Sequence, residues 1–183
     1  MRTLAVSYTY IDGKTNTDIP LEEFMDALVT PNITDLTIFL ETDDEDIHER
    51  FLRSVFEGQK EYRSLRTLDV TIYGMLTTNH MLDVIFSRLP LLEHFSLDAP
   101  GTGLFYKDLD FIENVPPLQT LTFTDCRQAE SGFVTELAAR IVKKKGELGL
   151  NAGLKLKLDG RTRISRYEIR NLETKWGVTV EYV

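Results

Sequence analysis

The chain has 183 residues, 42% hydrophobic and 27% charged, which is the composition of a folded chain about one domain long and excludes a disordered one. A single cysteine excludes an internal disulfide framework and a cysteine-rich zinc site. With 21 Lys+Arg against 29 Asp+Glu, the net charge of -8 argues against wrapping nucleic acid or coating an anionic membrane.

Short runs that alternate apolar and polar residues recur along the chain, the period of a half-buried strand. Residues 4–8 form the first. A polar stretch, 9–18, and a short helix, 20–29, follow it. The strand at 36–40 precedes a helical stripe of Ile47, Phe51 and Val55, stopped by Gly58. The strand at 68–72 precedes Leu82, Ile85, Phe86 and Leu89, which share one helix face and end at Pro90. A strand at 95–97 and a short helix at 108–115 come next. The strand at 121–123 leads to Phe133, Leu137 and Ile141, a helix closed by Lys143, Lys144, Lys145 and Gly146. Strand 154–156, a helix carrying Ile169, Leu172 and Trp176 up to Gly177, and strand 178–180 complete the series. Basic residues in a last turn, Gly after it and Pro beyond are the expected helix stops. Strand alternating with helix predicts an α/β fold with parallel strands.

The strands repeat in phase. Their first core residues are Leu4, Leu36, Leu68, Phe95, Leu121, Leu154 and Val178, spaced 32, 32, 27, 26, 33 and 24. Two places later stand Val6, Ile38, Val70, Leu97, Phe123, Leu156 and Val180. Three places earlier stand Met1, Ile33, Leu65, Leu92 and Leu118, but Asn151 and Lys175 break the pattern in the last two units. The result is L-x-x-L-x-L, fullest at Leu118-Gln119-Thr120-Leu121-Thr122-Phe123-Thr124-Asp125-Cys126.

On these residues the chain resembles a leucine-rich-repeat protein of the ribonuclease-inhibitor-like type. The phrases Leu89-Pro90-Leu91-Leu92-Glu93-His94-Phe95 and Val115-Pro116-Pro117-Leu118-Gln119-Thr120-Leu121 resemble the repeat region of fungal F-box proteins, although no segment reads as an F-box. Only one copy has Cys or Asn where the repeat calls for it; the others hold Thr9, Glu41, Tyr73, Pro100, Asp159 and Val183. The resemblance implies one domain over 1–183: a solenoid of six to seven irregular repeats, with parallel strands on the concave side and helices on the convex side. It further implies recognition of a protein partner, as in F-box-type substrate receptors.

In such a stack the outward strand residues form a concave surface. Here they are Thr37, Phe39, Asp69, Thr71, Tyr73, Ser96, Asp98, Thr122 and Thr124, with the two aromatics as anchors and the two aspartates as charge contacts. The competing reading is that threonine simply favours strand surfaces.

Charge is uneven: residues 1–100 hold 8 basic and 18 acidic side chains, and residues 101–183 hold 13 and 11. The run from Asp43 to Asp46 reads as acid at a helix N-terminus. Lys155, Lys157, Arg161, Arg163, Arg166 and Arg170 read as a solvated basic end, with a phosphate or acidic partner as the alternative. A strand at each end predicts either a cap, built from the loop over 9–18 and the helix after it, or self-association through uncapped edges, unless the chain is a fragment of a longer protein.

Signals for chemistry are weak. His94, Ser96 and Asp98 lie along one strand face, Cα atoms about 6.5 Å apart, without the converging elements a triad needs. The stretch from Asp12 to Glu23 matches a calcium loop at some positions, but Lys14 takes a ligand place and Thr17 replaces its glycine. Gly101 and Gly103 read as a turn rather than a dinucleotide loop. Cys126 is expected as a buried structural thiol, and Trp176 as a core anchor of the last helix. The expectation is therefore a non-enzymatic protein-interaction module with no cofactor and no metal. It should have no nucleic-acid or membrane partner and should lie in the cytoplasm or nucleus. Neither the leading residues nor any other run forms a signal-peptide core or membrane helix. The alternatives are a compact α/β enzyme or regulatory domain, or a self-assembling structural protein.

Overall fold

Strands form where apolar and β-branched residues alternate. The first three, β1 (Thr3–Thr9), β2 (Asp35–Glu41) and β3 (Thr67–Tyr73), each have seven residues. β4 (His94–Asp98), β6 (Thr120–Thr124), β8 (Leu154–Leu158) and β9 (Val178–Tyr182) have five. They build one parallel sheet in the order β1-β2-β3-β4-β6-β8-β9. This computed structural model describes residues 3–9, 32–42, 45–56, 62–74, 81–101, 103–112, 114–151, 153–159, 162 and 164–183.

Four helices are described between these strands: α1 (Glu45–Phe56), α2 (Met81–Arg88), α3 (Ser131–Glu147) and α4 (Arg166–Trp176). A short 3-10 helix, Tyr106–Phe111, stands where a helix over 108–115 was expected. Arg140 on α3 holds it, donating from Nη1 to the carbonyls of Leu109 (2.7 Å) and Ile112 (3.4 Å). The expected helix over 20–29 and the loop over 9–18 lie outside the described residues. No described helix is long and apolar enough to cross a membrane.

Strand order follows chain order without a reversal. Right-handed crossovers then place every helix on the same side of the sheet. Burial agrees. Leu36, Ile38, Leu40, Leu68, Val70, Ile72, Phe95, Leu97, Leu121, Phe123, Leu154, Leu156 and Leu158 are all buried against the helix layer. The intervening strand residues are half-buried or exposed. Parallel sheets are usually covered on both faces; here no described helix covers the second face.

The expected repeat phase holds from β1 to β6: Leu4, Leu36, Leu68, Phe95 and Leu121 are cross-strand partners in turn. It fails at β8. Leu121 pairs with Leu156, not Leu154, and Leu156 with Val180, so the last two strands are displaced by two residues. A two-residue shift keeps each side chain on its face.

Two features differ from the sequence reading. β5 (Gly103–Leu104) and β7 (Gln128–Ala129) form a small parallel ladder after β4 and β6, so Gly103 belongs to a strand rather than to a turn. A Cβ at Gly103 would lie 2.5 Å from the Phe105 ring, so a larger residue there requires this partly exposed ring to move. Lys145 is buried, its ammonium donating to the carbonyls of Leu118 (3.2 Å) and Gly153.

Candidate functional site: the open face of the sheet

The parallel register sets the open-face residues in rows that cross the strands, with neighbours roughly 4.8 Å apart. One row reads Asp35, Thr67, His94, Thr120, Lys155, Thr179. The next reads Thr37, Asp69, Ser96, Thr122, Lys157, Glu181. A third carries Phe39, Thr71, Asp98 and Thr124, and a fourth Glu41 and Tyr73. All nine residues proposed from the sequence as a binding surface therefore share one face.

Phe39 and Tyr73 sit one row apart on adjacent strands, and their rings meet with centroids 5.6 Å apart at 50°. Phe39 is half-buried and Tyr73 is 43% exposed, so the pair offers an apolar step above the hydroxyl rows. Asp69 lies beside them in the second row. Its carboxyl is pushed above the usual aspartate value, first because neighbouring side chains remove part of its water, then because Asp35 is close; His94 pulls the other way. Sequence reasoning passed over Asp35, Glu41 and Thr67 as members of this face, although their odd numbering places them there.

Turns follow β4 and β6 at their carboxyl ends. Asp125 adopts a left-handed conformation, φ 49°, after β6, and its N–H donates to Asp159 Oδ2 at 2.8 Å. Arg127 grips the Asp125 carboxylate with two bonds, 2.6 and 3.1 Å. Cys126 is buried between them, its thiol donating to the carbonyls of Leu97 and Thr124. Burial foremost pushes that thiol up to about 12; the bond to the Ala99 backbone acts against this, and nearby aspartates add to it. A thiol so placed is neither thiolate nor accessible.

His94, Ser96 and Asp98 point the same way along β4 at alternate positions. No group of three His, Cys, Asp or Glu side chains among the described residues is placed to hold a metal ion. The calcium-like stretch from Asp12 to Glu23 lies outside the described residues, as do Asp43, Asp44, Arg161 and Arg163. The rest of the basic set is split: Lys155 and Lys157 belong to the open face of β8, Arg166 and Arg170 to α4 in the helix layer. Lys155 is bound to Glu181 at 2.9 Å. Trp176 is half-buried against the core under the Lys175 ammonium, 5.1 Å from its ring. No protein-family model, curated protein or solved structure matches the chain.

Proposed function

We propose that this chain is a non-enzymatic protein-interaction module, a leucine-rich-repeat-like solenoid that binds a partner through the open face of its sheet. The observation that carries this reading is the uncovered face itself. A seven-stranded parallel sheet buries one side from β2 to β8 and leaves the other lined with hydroxyls, a paired Phe39 and Tyr73, and Asp35, Asp69 and Asp98. Aromatic anchors supply contact area, and short hydroxyl side chains supply adaptable hydrogen bonds. The monotonic strand order also favours it over the compact α/β alternative, which needs an order reversal to open a ligand crevice at the strand ends.

Under the resemblance to F-box repeat regions, the partner is a substrate protein recruited by this face. Two experiments test the reading. Small-angle scattering should return a curved slab; a compact globular profile would remove the solenoid. Partner capture should be lost in Phe39→Ala/Tyr73→Ala and in Asp69→Lys/Tyr73→Ala while both variants keep the wild-type melting temperature within a few degrees. Arg88→Ala on α2, in the helix layer, should capture normally. Equal capture by all four proteins would move the binding surface elsewhere.

A further inference from the structure

Among the described residues, β9 is an edge of the main sheet. β9 (Val178–Tyr182) joins β8 on one side, and among the described residues no strand lies beyond it. The N–H of Val183 donates to the Leu158 carbonyl at 2.9 Å, which fixes the backbone direction along β9. Directions alternate in a strand, so Thr179 and Glu181 turn their N–H and C=O toward β8. Val178, Val180 and Tyr182 turn theirs outward.

The usual protections of an edge are missing. β9 contains no proline, no lysine and no glycine, and its one charged residue, Glu181, is engaged with Lys155 on the open face. Val178, Thr179 and Val180 are β-branched, the residue type that favours a strand. Large apolar surface gathers at the same end: Tyr182 is 58%, Val183 66% and Tyr167 of α4 81% exposed.

We propose that β9 pairs antiparallel with β9 of a second copy of this chain, about a two-fold axis through Val180. The register follows from the residues. Only this centre brings all three outward residues into hydrogen-bonded pairs: Val180 with its own copy, and Val178 of each chain with Tyr182 of the other. Each such pair exchanges two bonds, so the edge gains six. Glu181 then faces Thr179 across the join, with Lys157 on its other side. Moving the axis to Glu181 sets two carboxylates directly opposite, which is repulsive. Moving it to Thr179 leaves Tyr182 without a partner. The two-fold is perpendicular to the sheet, so both helix layers stay on one side and both open faces on the other. A dimer of this kind presents two copies of the candidate binding face side by side.

The test is the mass of the full chain in solution against concentration, by light scattering and sedimentation equilibrium. The mass should rise from 21.0 kDa toward twice that value. Val180→Pro removes only an outward N–H and leaves pairing with β8 intact, so it should weaken association by about tenfold or more at unchanged circular dichroism. Tyr182→Lys, at an exposed site, should weaken it comparably and decides the matter if the proline variant unfolds. A mass of one chain at every concentration, or association indifferent to both substitutions, overturns the proposal.

Discussion

Between β2 and β6 each unit hands its backbone to the next in the same way, and at β8 the pattern stops. The Thr34 carbonyl accepts the N–H groups of Arg66 and Thr67 at 2.8 and 3.0 Å. The Arg66 carbonyl accepts those of Glu93 and His94, and the Glu93 carbonyl those of Gln119 and Thr120. Side chains repeat the step: Arg66 meets Glu93 at 3.5 Å, and Gln119 donates to Glu93 at 2.9 Å. The next carbonyl, of Gln119, receives only Lys155. The difference lies three residues before each core strand position. Ile33, Leu65, Leu92 and Leu118 are buried wedges there, whereas Asn151 is exposed. An apolar wedge fixes how the chain enters its strand. In the displaced unit the buried Lys145 of α3 bonds the carbonyls of Leu118 and Gly153 instead.

Removing a wedge is the most direct way to break the regular block. Leu92 is fully buried, so Leu92→Ala should cost about 3–5 kcal/mol, read as a lowered urea midpoint. Asn151→Ala, at the same sequence spacing before Leu154, loses only a bond to the Gly153 N–H and should cost under about 1 kcal/mol. Equal losses would show that the wedge position does not distinguish the two regions.

A third variant tests the buried Lys145 of the displaced unit. Lys145→Met keeps an unbranched side chain out to Cε but removes the donor to the carbonyls of Leu118 and Gly153. The expected loss is about 1–3 kcal/mol, since burying an unpaired carbonyl outweighs the desolvation that the ammonium no longer suffers. A stabilised variant would mean that Lys145 is tolerated there rather than required.

These contrasts also mark what the sequence could disclose. Every main strand and the four helices α1–α4 were legible, because periods of two and of about four residues belong to single elements. The open face was legible for the same reason. Once Leu36, Ile38 and Leu40 point inward, Thr37 and Phe39 must point outward. The meeting of Phe39 with Tyr73 required the register as well, and the equal 32-residue spacing of the first three strands supplied it. The slip at β8 was hidden because both registers place leucines inward: Leu154 and Leu156 are chemically equivalent choices. Lys145 was read as a basic last-turn residue. Nothing in its neighbours shows that α3 is long enough to carry it under the chain at Gly153.

Alkaline pH sharpens the comparison from the regular side. Cys126, after β6, and Tyr62, before β3, both titrate at about 12 when folded, raised chiefly by burial. The unfolded chain releases these protons near the ordinary values of 9.0 and 10.0, so it gains charge first. Stability is therefore intact below pH 9 and falls as pH climbs through 9 to 12. Cys126 alone should account for about 2 kcal/mol by pH 10.5. Cys126→Ala should cost stability at pH 7 but narrow its deficit against wild type as pH rises. A deficit constant from pH 8 to 10.5 would refute the assignment.

The smallest effect belongs to the displaced unit, where α4 buries only Leu172 and so depends more on its ends. Ser165 caps it by accepting the Glu168 N–H at 3.2 Å, and Glu168 accepts the Ser165 N–H at 2.9 Å in return. Gly177 closes the other end in the left-handed conformation, φ 64°. Ser165→Ala should cost about 1 kcal/mol. The Ser165 hydroxyl, which donates to Glu168 Oε2 at 2.6 Å, is the main cause that holds the Glu168 carboxyl below its ordinary value, and the Ser165 N–H adds to it. A depressed carboxylate contributes stability above its unfolded pKa, and that contribution disappears as pH falls through the folded one. Wild type and Ser165→Ala should therefore converge as the solution is acidified below about pH 4.5. Because α4 packs on β9, fraying at this cap should also raise amide exchange along that strand while leaving β2 to β4 unchanged. Exchange rising equally across the sheet would mean that the two regions unfold as one, and that their different construction does not give them different local stability.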